Sequence, residues 1–226
     1  MDILYEDNHL IVVNKTNSEI VQGDKTGDIS LDVQLKECIK RKYQKPGDVY
    51  LGVVHRIDRP VSGVVVFART SKALARMNKM FSEKEVEKVY WAIVKDKPTK
   101  QKDTLKHFIV RNSAKNKSFA YDKEVPESKP ASLEYEVLAG SDRYHLLKVN
   151  LHTGRHHQIR AQLAKIGCPI KGDLKYGFPR SDKNGGISLH ARSVSFVHPV
   201  SQERIFIEAE PPDDKLWNFF KEIIKT

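Results

Sequence analysis

The sequence predicts an α+β fold, a mixed and largely antiparallel central sheet flanked by helices and loops. Three observations lead there. Short strand-like runs and amphipathic helical runs follow one another in irregular order, without the regular strand–helix alternation of a parallel α/β sheet. The runs "VYLGVVH" and "VVVFA" are too short for helices and too continuously apolar for half-exposed strands, so they are expected as central strands buried on both faces. The pair "ASLEYEVLAG" and "YHLLKVNLHTG" alternates apolar and polar residues around a turn at Gly140 to Arg143, as paired antiparallel strands do.

The remaining elements follow in order. "ILYEDNHLIVVNK" reads as strand, Asp7-Asn8 turn and strand, since β-branched and aromatic residues flank two turn formers. "SLDVQLKECIKRKY" places Leu31, Leu35, Cys38 and Ile39 at helical spacing behind Ser30 as a cap. In "TSKALARMNKMFSEKE" the stripe Leu74, Met77 and Phe81 marks an amphipathic helix capped by Thr70 or Ser71. "KVYWAIV" is a strand. Residues 95–129 are lysine-rich with pieces such as "LKHFIV", and are expected as exposed hairpins with long connections or as a linker. "RHHQIRAQLAKIG" is predicted as a helix starting near Gly154, with Ile159, Leu163 and Ile166 inward and Gly167 ending it. "ISLHARSVSFVHP" and "ERIFIEAE" form a last hairpin, and "PPDDKLWNFFKEII" closes the chain as a helix with prolines and acids at its start. No internal repeat or low-complexity tract interrupts the series.

The 226 residues suffice for one sizeable core, so a single domain over 1–226 is expected. The formal charge of +10 suits a polyanion: RNA, DNA or an anionic membrane, against the plainer alternative of a surface made basic for solubility. Cys38 and Cys168 are isolated, which indicates neither a disulfide framework nor a zinc knuckle and fits a reducing cytoplasm. The first residues carry acids where a secretory signal has bases, and no apolar run approaches the ~18 residues of a membrane span.

Two stretches carry the chemistry. "HRIDRPVSG" sets Asp58 between two apolar runs, where an unpaired carboxylate costs several kcal/mol of desolvation. Alternation puts Arg56 on the side of Asp58 and turns Arg59 away, while Pro60 and Ser62-Gly63 fix the path of the chain. A rigidly held acid suits catalysis, but taken alone this loop suits a structural ion pair better. No second acid lies nearby in sequence, as a glycoside hydrolase would need. In "HTGRHHQIR", Arg160 borders the apolar stripe and is long enough to curl over the core edge toward a buried carboxylate, while His156, His157 and Arg160 cluster as an anion site or as a solvated basic face. His152 and His156 have the spacing of a metal pair, but a break at Gly154 and the lack of a nearby Glu argue against metal.

Taken together, "HRIDRPVSG", "EKVYWAIV", "TGRHHQIR", "KGDLKYG" and "LHARSVSFVHP" resemble, in order and spacing, the motifs of the RluA-type pseudouridine synthases, over most of the chain. The resemblance implies isomerisation of uridine to pseudouridine in rRNA or tRNA, without cofactor or metal. It implies that Asp58 is the essential aspartate, Tyr90 the tyrosine stacked on the target base, Arg160 the partner of the aspartate, and Arg56 the residue entering the space of a flipped nucleotide. Arg59, Lys88, Arg155 and His157 are expected to contact RNA, with the lysine-rich segment gripping phosphates. The family usually has Leu at Ile57, a nearly volume-conserving change, and Thr at Val61 and His156, where the lost hydroxyls touch RNA contacts rather than the chemistry; set beside relatives that carry one, the chain is expected to have no separate N-terminal RNA-binding domain. A monomer acting in the cytoplasm is expected, with no membrane and no obligatory protein partner. The competing expectation is a non-catalytic RNA-binding or RNA-folding protein on the same scaffold; a DNA-binding or ribosome-associated structural protein explains the charge alone.

Overall fold

The computed structural model describes residues 1–24, 26–182 and 185–225. In chain order the strands are β1 (Asp2–Glu6), β2 (Leu10–Lys15), β3 (Gly52–Val53), β4 (Ser62–Ala68), β5 (Glu87–Val94), β6 (Lys102–Asn112), β7 (Lys117–Tyr121), β8 (Lys129–Gly140), β9 (His145–Leu151), β10 (Leu189–Val197) and β11 (Arg204–Glu208). The helices are α1 (Leu31–Lys42), α2 (Ser71–Glu83), α3 (Gln158–Lys165) and α4 (Lys215–Lys225), with a 3-10 turn at Leu174–Tyr176. All these strands join one sheet in the order β1-β2-β4-β10-β5-β9-β8-β6-β7, with β3 on β4 and β11 on β10. Only β4 and β10 run parallel; every other pairing is antiparallel.

Alternation along the strands sorts the helices onto two faces. Ile11, Val13, Val65, Phe67, Tyr90 and Ala92 share a core with Leu31, Leu35 and Ile39 of α1 and Ile159 and Leu163 of α3. The opposite side chains, Val12, Val64 and Val66 among them, meet Ala73 and Met77 of α2, while Trp91 and Ile93 meet Trp217 and Phe220 of α4. Central strands covered on both sides read as unbroken apolar runs, which explains "VVVFA". The Thr70 hydroxyl accepts from the Ala73 amide to start α2, and Asp214 accepts from the Leu216 and Trp217 amides to start α4.

The sheet forks at β4, and the fork makes the site. One edge of β4 is shared: Ser62 and Gly63 pair with His190 and Ala191 of β10, whereas Phe67 and Ala68 pair with β3. Between them the Val66 amide donates to His55 Nε2 at 3.1 Å, so an imidazole takes the place of a ladder carbonyl. Residues 54–61 leave the sheet through this opening. The expectation of a central strand over "VYLGVVH" is therefore corrected: only two residues pair, because His55 and the departing loop occupy the rest of the edge. At the join, Ser62 Oγ and His190 Nδ1 lie 2.9 Å apart, and His190 Nε2 is 2.9 Å from the Ala209 carbonyl.

Three further expectations change. Residues 95–129 are not a linker, and the hairpin they hold, β6 and β7, turns through residues 113–116 rather than a long connection. β6 pairs with β8 through eight residues and with β7 through five, extending the main sheet, with Leu105, His107 and Ile109 buried. The lysines sit at the alternate, exposed positions, so composition hid a regular strand. Helix α3 starts at Gln158 rather than near Gly154, because His157 takes a left-handed conformation with φ 52° that no α-helix continues through. Cys38 is half-buried, outside the core formed by Leu31, Leu35 and Ile39.

Two outcomes follow from the fork. Gly63 has φ +115°, and a Cβ there would press into the Ala191 carbonyl. Gly63→Ala is expected to cost at least about 2 kcal/mol, lowering Tm by roughly 5 °C or more; an unchanged Tm in calorimetry would contradict the join. Burial pushes the imidazoles of His55 and His190 down to about 4, with Lys88 adding to the effect on His55. Unfolded histidine titrates near ~6.5, so below that pH the unfolded chain binds protons the fold refuses. Stability is then fully present above that range and falls as pH drops toward 4, by up to about 3 kcal/mol per pH unit from this pair. Urea unfolding at pH 7, 6 and 5 measures the slope; a flat profile would show both rings charging freely in the fold.

Candidate active site

The loop that leaves the fork is pinned from three directions. The Val61 amide donates to the Asp58 carbonyl at 3.0 Å, the Ser18 amide to the Arg59 carbonyl at 3.1 Å, and the Ile187 amide to the Pro60 carbonyl at 3.0 Å. Beneath it, the buried Lys15 ammonium donates to the carbonyls of Thr16, Glu19 and Arg59 at 2.9, 2.9 and 3.0 Å. Burial pushes the Lys15 pKa down to about 8, against the pull of Glu19 and Asp58.

Asp58 is thereby presented to a guanidinium from the other side of the cleft. Arg160 Nη1 donates to Asp58 Oδ2 at 2.9 Å, while Arg160 Nε and Nη2 grip both oxygens of Asp173 at 2.7 and 2.9 Å. Arg160 is 4% exposed and Asp173 1%, so the pair sits inside the protein, with the guanidinium 5.0 Å from the centre of the Tyr176 ring. Burial opposes the charge of Arg160, but the hydrogen bonds and charge of Asp173, then those of Asp58, hold its pKa above the ordinary value. The Asp58 side chain itself is 27% exposed, so it faces the cleft rather than lying sealed from water as its apolar neighbours suggested.

Tyr90, held in β5 between β10 and β9, lies at the cleft wall with Asp58 nearby. Burial, and then the charge of Asp58, push its phenol pKa well above the usual value. The ring is therefore an apolar surface with a phenol that stays protonated. All eight residues singled out in the sequence line this one cleft, of about 810 Å³: Asp58, Tyr90, Arg160, Arg56, Arg59, Lys88, Arg155 and His157.

Their settings differ. Arg56, exposed, donates to Gln22 Oε1 at 3.2 Å, and Arg59 turns to an exposed ion pair with Asp28 at 2.7 Å. Lys88, two residues before Tyr90 on the same strand face, rests over the Phe81 ring, and burial lowers its pKa. Arg155 Nε donates to the Pro130 carbonyl at 3.1 Å. His157 departs most from expectation. It is buried rather than part of a basic helix face, and burial followed by the nearby Arg160 charge pushes its pKa to about 2, so a neutral ring stands where a cation was expected. His156 stacks on it with ring centres 3.8 Å apart. The helical spacing assumed for these histidines does not exist, because α3 begins after them.

Sequence reasoning left Asp173, Tyr176 and Lys15 without roles. The signals were present: "KGDLKYG" contains the first two, and a lysine closes the apolar run "LIVVNK". Neither says what it touches, since Asp173 and Tyr176 meet Arg160 and His157 only through the turn between them, and Lys15 bonds backbone carbonyls that no side-chain pattern reports.

Comparison with known proteins gives the family and the fold. The family model described as RNA pseudouridylate synthase matches residues 9–165. A chain named an uncharacterised RNA pseudouridine synthase from Bacillus subtilis (strain 168) is 34% identical over 218 residues, covering 95% of this chain and 70% of its own length. Ribosomal large subunit pseudouridine synthase C of Buchnera aphidicola subsp. Baizongia pistaciae is 32% identical over 232 residues, covering 99% of this chain and 70% of its own. Among solved structures, human RNA Pseudouridylate Synthase Domain Containing 4 superposes with a TM-score of 0.80 at 22% identity, covering 99% of this chain and 93% of that one, a likeness of fold. The chain belongs to the RNA pseudouridylate synthase family and is an RNA uridine isomerase.

Proposed function

We propose that the cleft converts a uridine of large-subunit ribosomal RNA to pseudouridine with Asp58 as its essential carboxylate, Arg160 as the partner of that carboxylate and Tyr90 as the stacking surface. The observation that carries the reading is the 2.9 Å contact between Asp58 and a buried guanidinium, at the wall of a cleft that also holds Tyr90. Relatives named ribosomal large subunit pseudouridine synthases favour the choice of RNA. The whole chain acts as one catalytic domain, as a monomer in the cytoplasm, and the continuity of its sheet supports the first of these.

The reaction breaks the C1′–N1 bond, turns the base and joins C5 to C1′, with loss of the C5 proton and uptake of a proton at the freed N1. An aspartate serves the first step by attacking C1′, or by taking a proton from C2′ to leave a glycal. Either role needs an oxygen directed at the ribose and held still, which the pinned loop and Arg160 supply. Tyr90 offers a ring face to the detached uracil; its raised pKa speaks against use of the phenolate as the base for C5. The uridine must leave the stack to reach them, at a cost of a few kcal/mol. Arg56 fills the space left behind, while Arg59, Lys88 and Arg155 take phosphates around the rim. We assign His157 to the interior, beside Asp58.

Asp58→Asn is expected to leave the fold and RNA affinity intact and abolish tritium release from C5-labelled uridine in ribosomal RNA. Turnover near wild type would remove Asp58 from the chemistry, and turnover confined to tRNA would redirect the substrate. Asp173→Asn keeps the shape but takes away the charge that Arg160 was built around. It is expected to destabilise by about 3 kcal/mol, since breaking a buried pair strands its partner, and to slow turnover at least about tenfold by loosening Arg160. Chemical denaturation and single-turnover rates read the two effects; an unaffected variant would show that Asp58 alone anchors Arg160.

A further inference from the structure

Two hydrogen bonds and one longer polar contact lead from strand β7 to the carboxylate of Asp58. The Ser118 amide donates to the Tyr176 hydroxyl oxygen at 2.8 Å. That oxygen lies 3.0 Å from His157 Nδ1, and His157 Nε2 lies 3.5 Å from Asp58 Oδ2. Direction can be assigned at each link, because a backbone amide only donates. The Tyr176 oxygen accepts from Ser118, which leaves its proton for His157 Nδ1, and a neutral ring accepting at Nδ1 carries its own proton on Nε2. The other tautomer would strand the Tyr176 proton, which has no other acceptor among the hydrogen bonds of the described residues. It would also aim the lone pair of Nε2 at a carboxylate oxygen.

We propose that His157 is a positioning residue whose Nε2–H, set by Tyr176, turns toward Asp58 Oδ2, so that Oδ1 is the oxygen presented to the ribose. This rests on the reading of Asp58 as the essential carboxylate. Oδ2 then faces two donors, Arg160 at 2.9 Å and His157 at 3.5 Å, whereas Oδ1 accepts no hydrogen bond among the described residues. Arg160 alone would fix one oxygen but leave the carboxylate plane free to turn about that contact. A second donor from a different direction removes the freedom. The 3.5 Å separation is long for a resting hydrogen bond, and such contacts shorten as charge and geometry change along a reaction. Burial and the surrounding charges of Arg160, His156, Lys175 and Arg111 all lower the His157 pKa, which keeps the ring neutral, with a single N–H to place.

The test uses the full chain labelled with 15N-histidine. In the wild type the two ring nitrogens of His157 should give the shifts of a neutral Nε2–H tautomer, unchanged from pH 8 to pH 5. Tyr176→Phe keeps the ring under Arg160 and deletes only the hydroxyl, and should yield a mixture of tautomers. With saturating ribosomal RNA, its single-turnover rate should fall about tenfold, and that of His157→Asn about a hundredfold, with RNA Kd within twofold of wild type. His157→Gln, whose longer amide again brings an N–H toward Oδ2, should recover at least about tenfold over His157→Asn. An Nδ1–H tautomer or titration between pH 5 and 8 overturns the proposal, as does a wild-type rate in folded Tyr176→Phe and His157→Asn. Should His157→Asn fail to fold, the wild-type tautomer and Tyr176→Phe still decide. An active Asp58→Asn control would strike the reading of the site itself; an inactive one with the wrong tautomer strikes only the role of His157.

Discussion

One guanidinium organises this protein. Arg160 lies inside the fold with three of its nitrogens committed, two to Asp173 and one to Asp58. A buried cation is tolerated only when carboxylates and hydrogen bonds replace the water it gives up. Here the replacement comes from two segments distant in sequence, the loop at residues 54–61 and the turn at 171–177. Neither partner is redundant: Asp173 takes the fork of the guanidinium and fixes its plane, which leaves Nη1 pointing at the cleft with Asp58 as its target. The cleft-facing carboxylate is positioned by a group that is itself positioned by a second acid.

The surroundings serve that arrangement. Arg160 reaches the cleft because α3 starts abruptly at Gln158, after a left-handed residue that swings His156 and His157 off the helix and into the wall. Asp58 reaches it because the sheet forks at β4 and lets the loop out, with Gly63 allowing the two strands to meet below the opening. Lys15 closes the floor, its ammonium gathering three backbone carbonyls including that of Arg59. Irregularities in the regular elements, a two-residue strand and a displaced helix start, coincide with the site.

That coincidence explains which features were legible in the sequence. Strands and helices away from the cleft follow from hydrophobic period and capping: β2 and β4 from continuous valine runs, α2 from Leu74, Met77 and Phe81 behind Thr70, α4 from Asp214 and its apolar stripe. The stretch "VYLGVVH" misled because only Gly52 and Val53 pair while Val49 and Val54 pack as loop and core, and "RHHQIR" because no pattern reports a left-handed residue at His157. In β6 the exposed lysines masked the alternation beneath. Asp58 stood out by its charge in an apolar setting, whereas Asp173 did not, since its one distinguishing property is a bidentate contact with a residue 13 positions earlier.

The cleft also divides fixed from replaceable contacts, and the division bears on how RNA is received. Tyr90 is hydrogen-bonded into a strand with neighbours on both sides, Asp58 is pinned through its loop, and Arg160 is locked by Asp173. None of them can move out to a base within a duplex, so the nucleotide has to travel to them. The rim is held differently. Arg56 rests on a glutamine, Arg59 on an exposed aspartate and Arg155 on a carbonyl, contacts worth about 1 kcal/mol or less at a wet surface. A phosphate or a base edge can replace each of them at little net cost. Under the proposed assignment, recognition of the RNA falls to side chains that exchange one partner for another, and chemistry to side chains that keep theirs, because an interior ion that lost its partner would cost more than the flipped base returns.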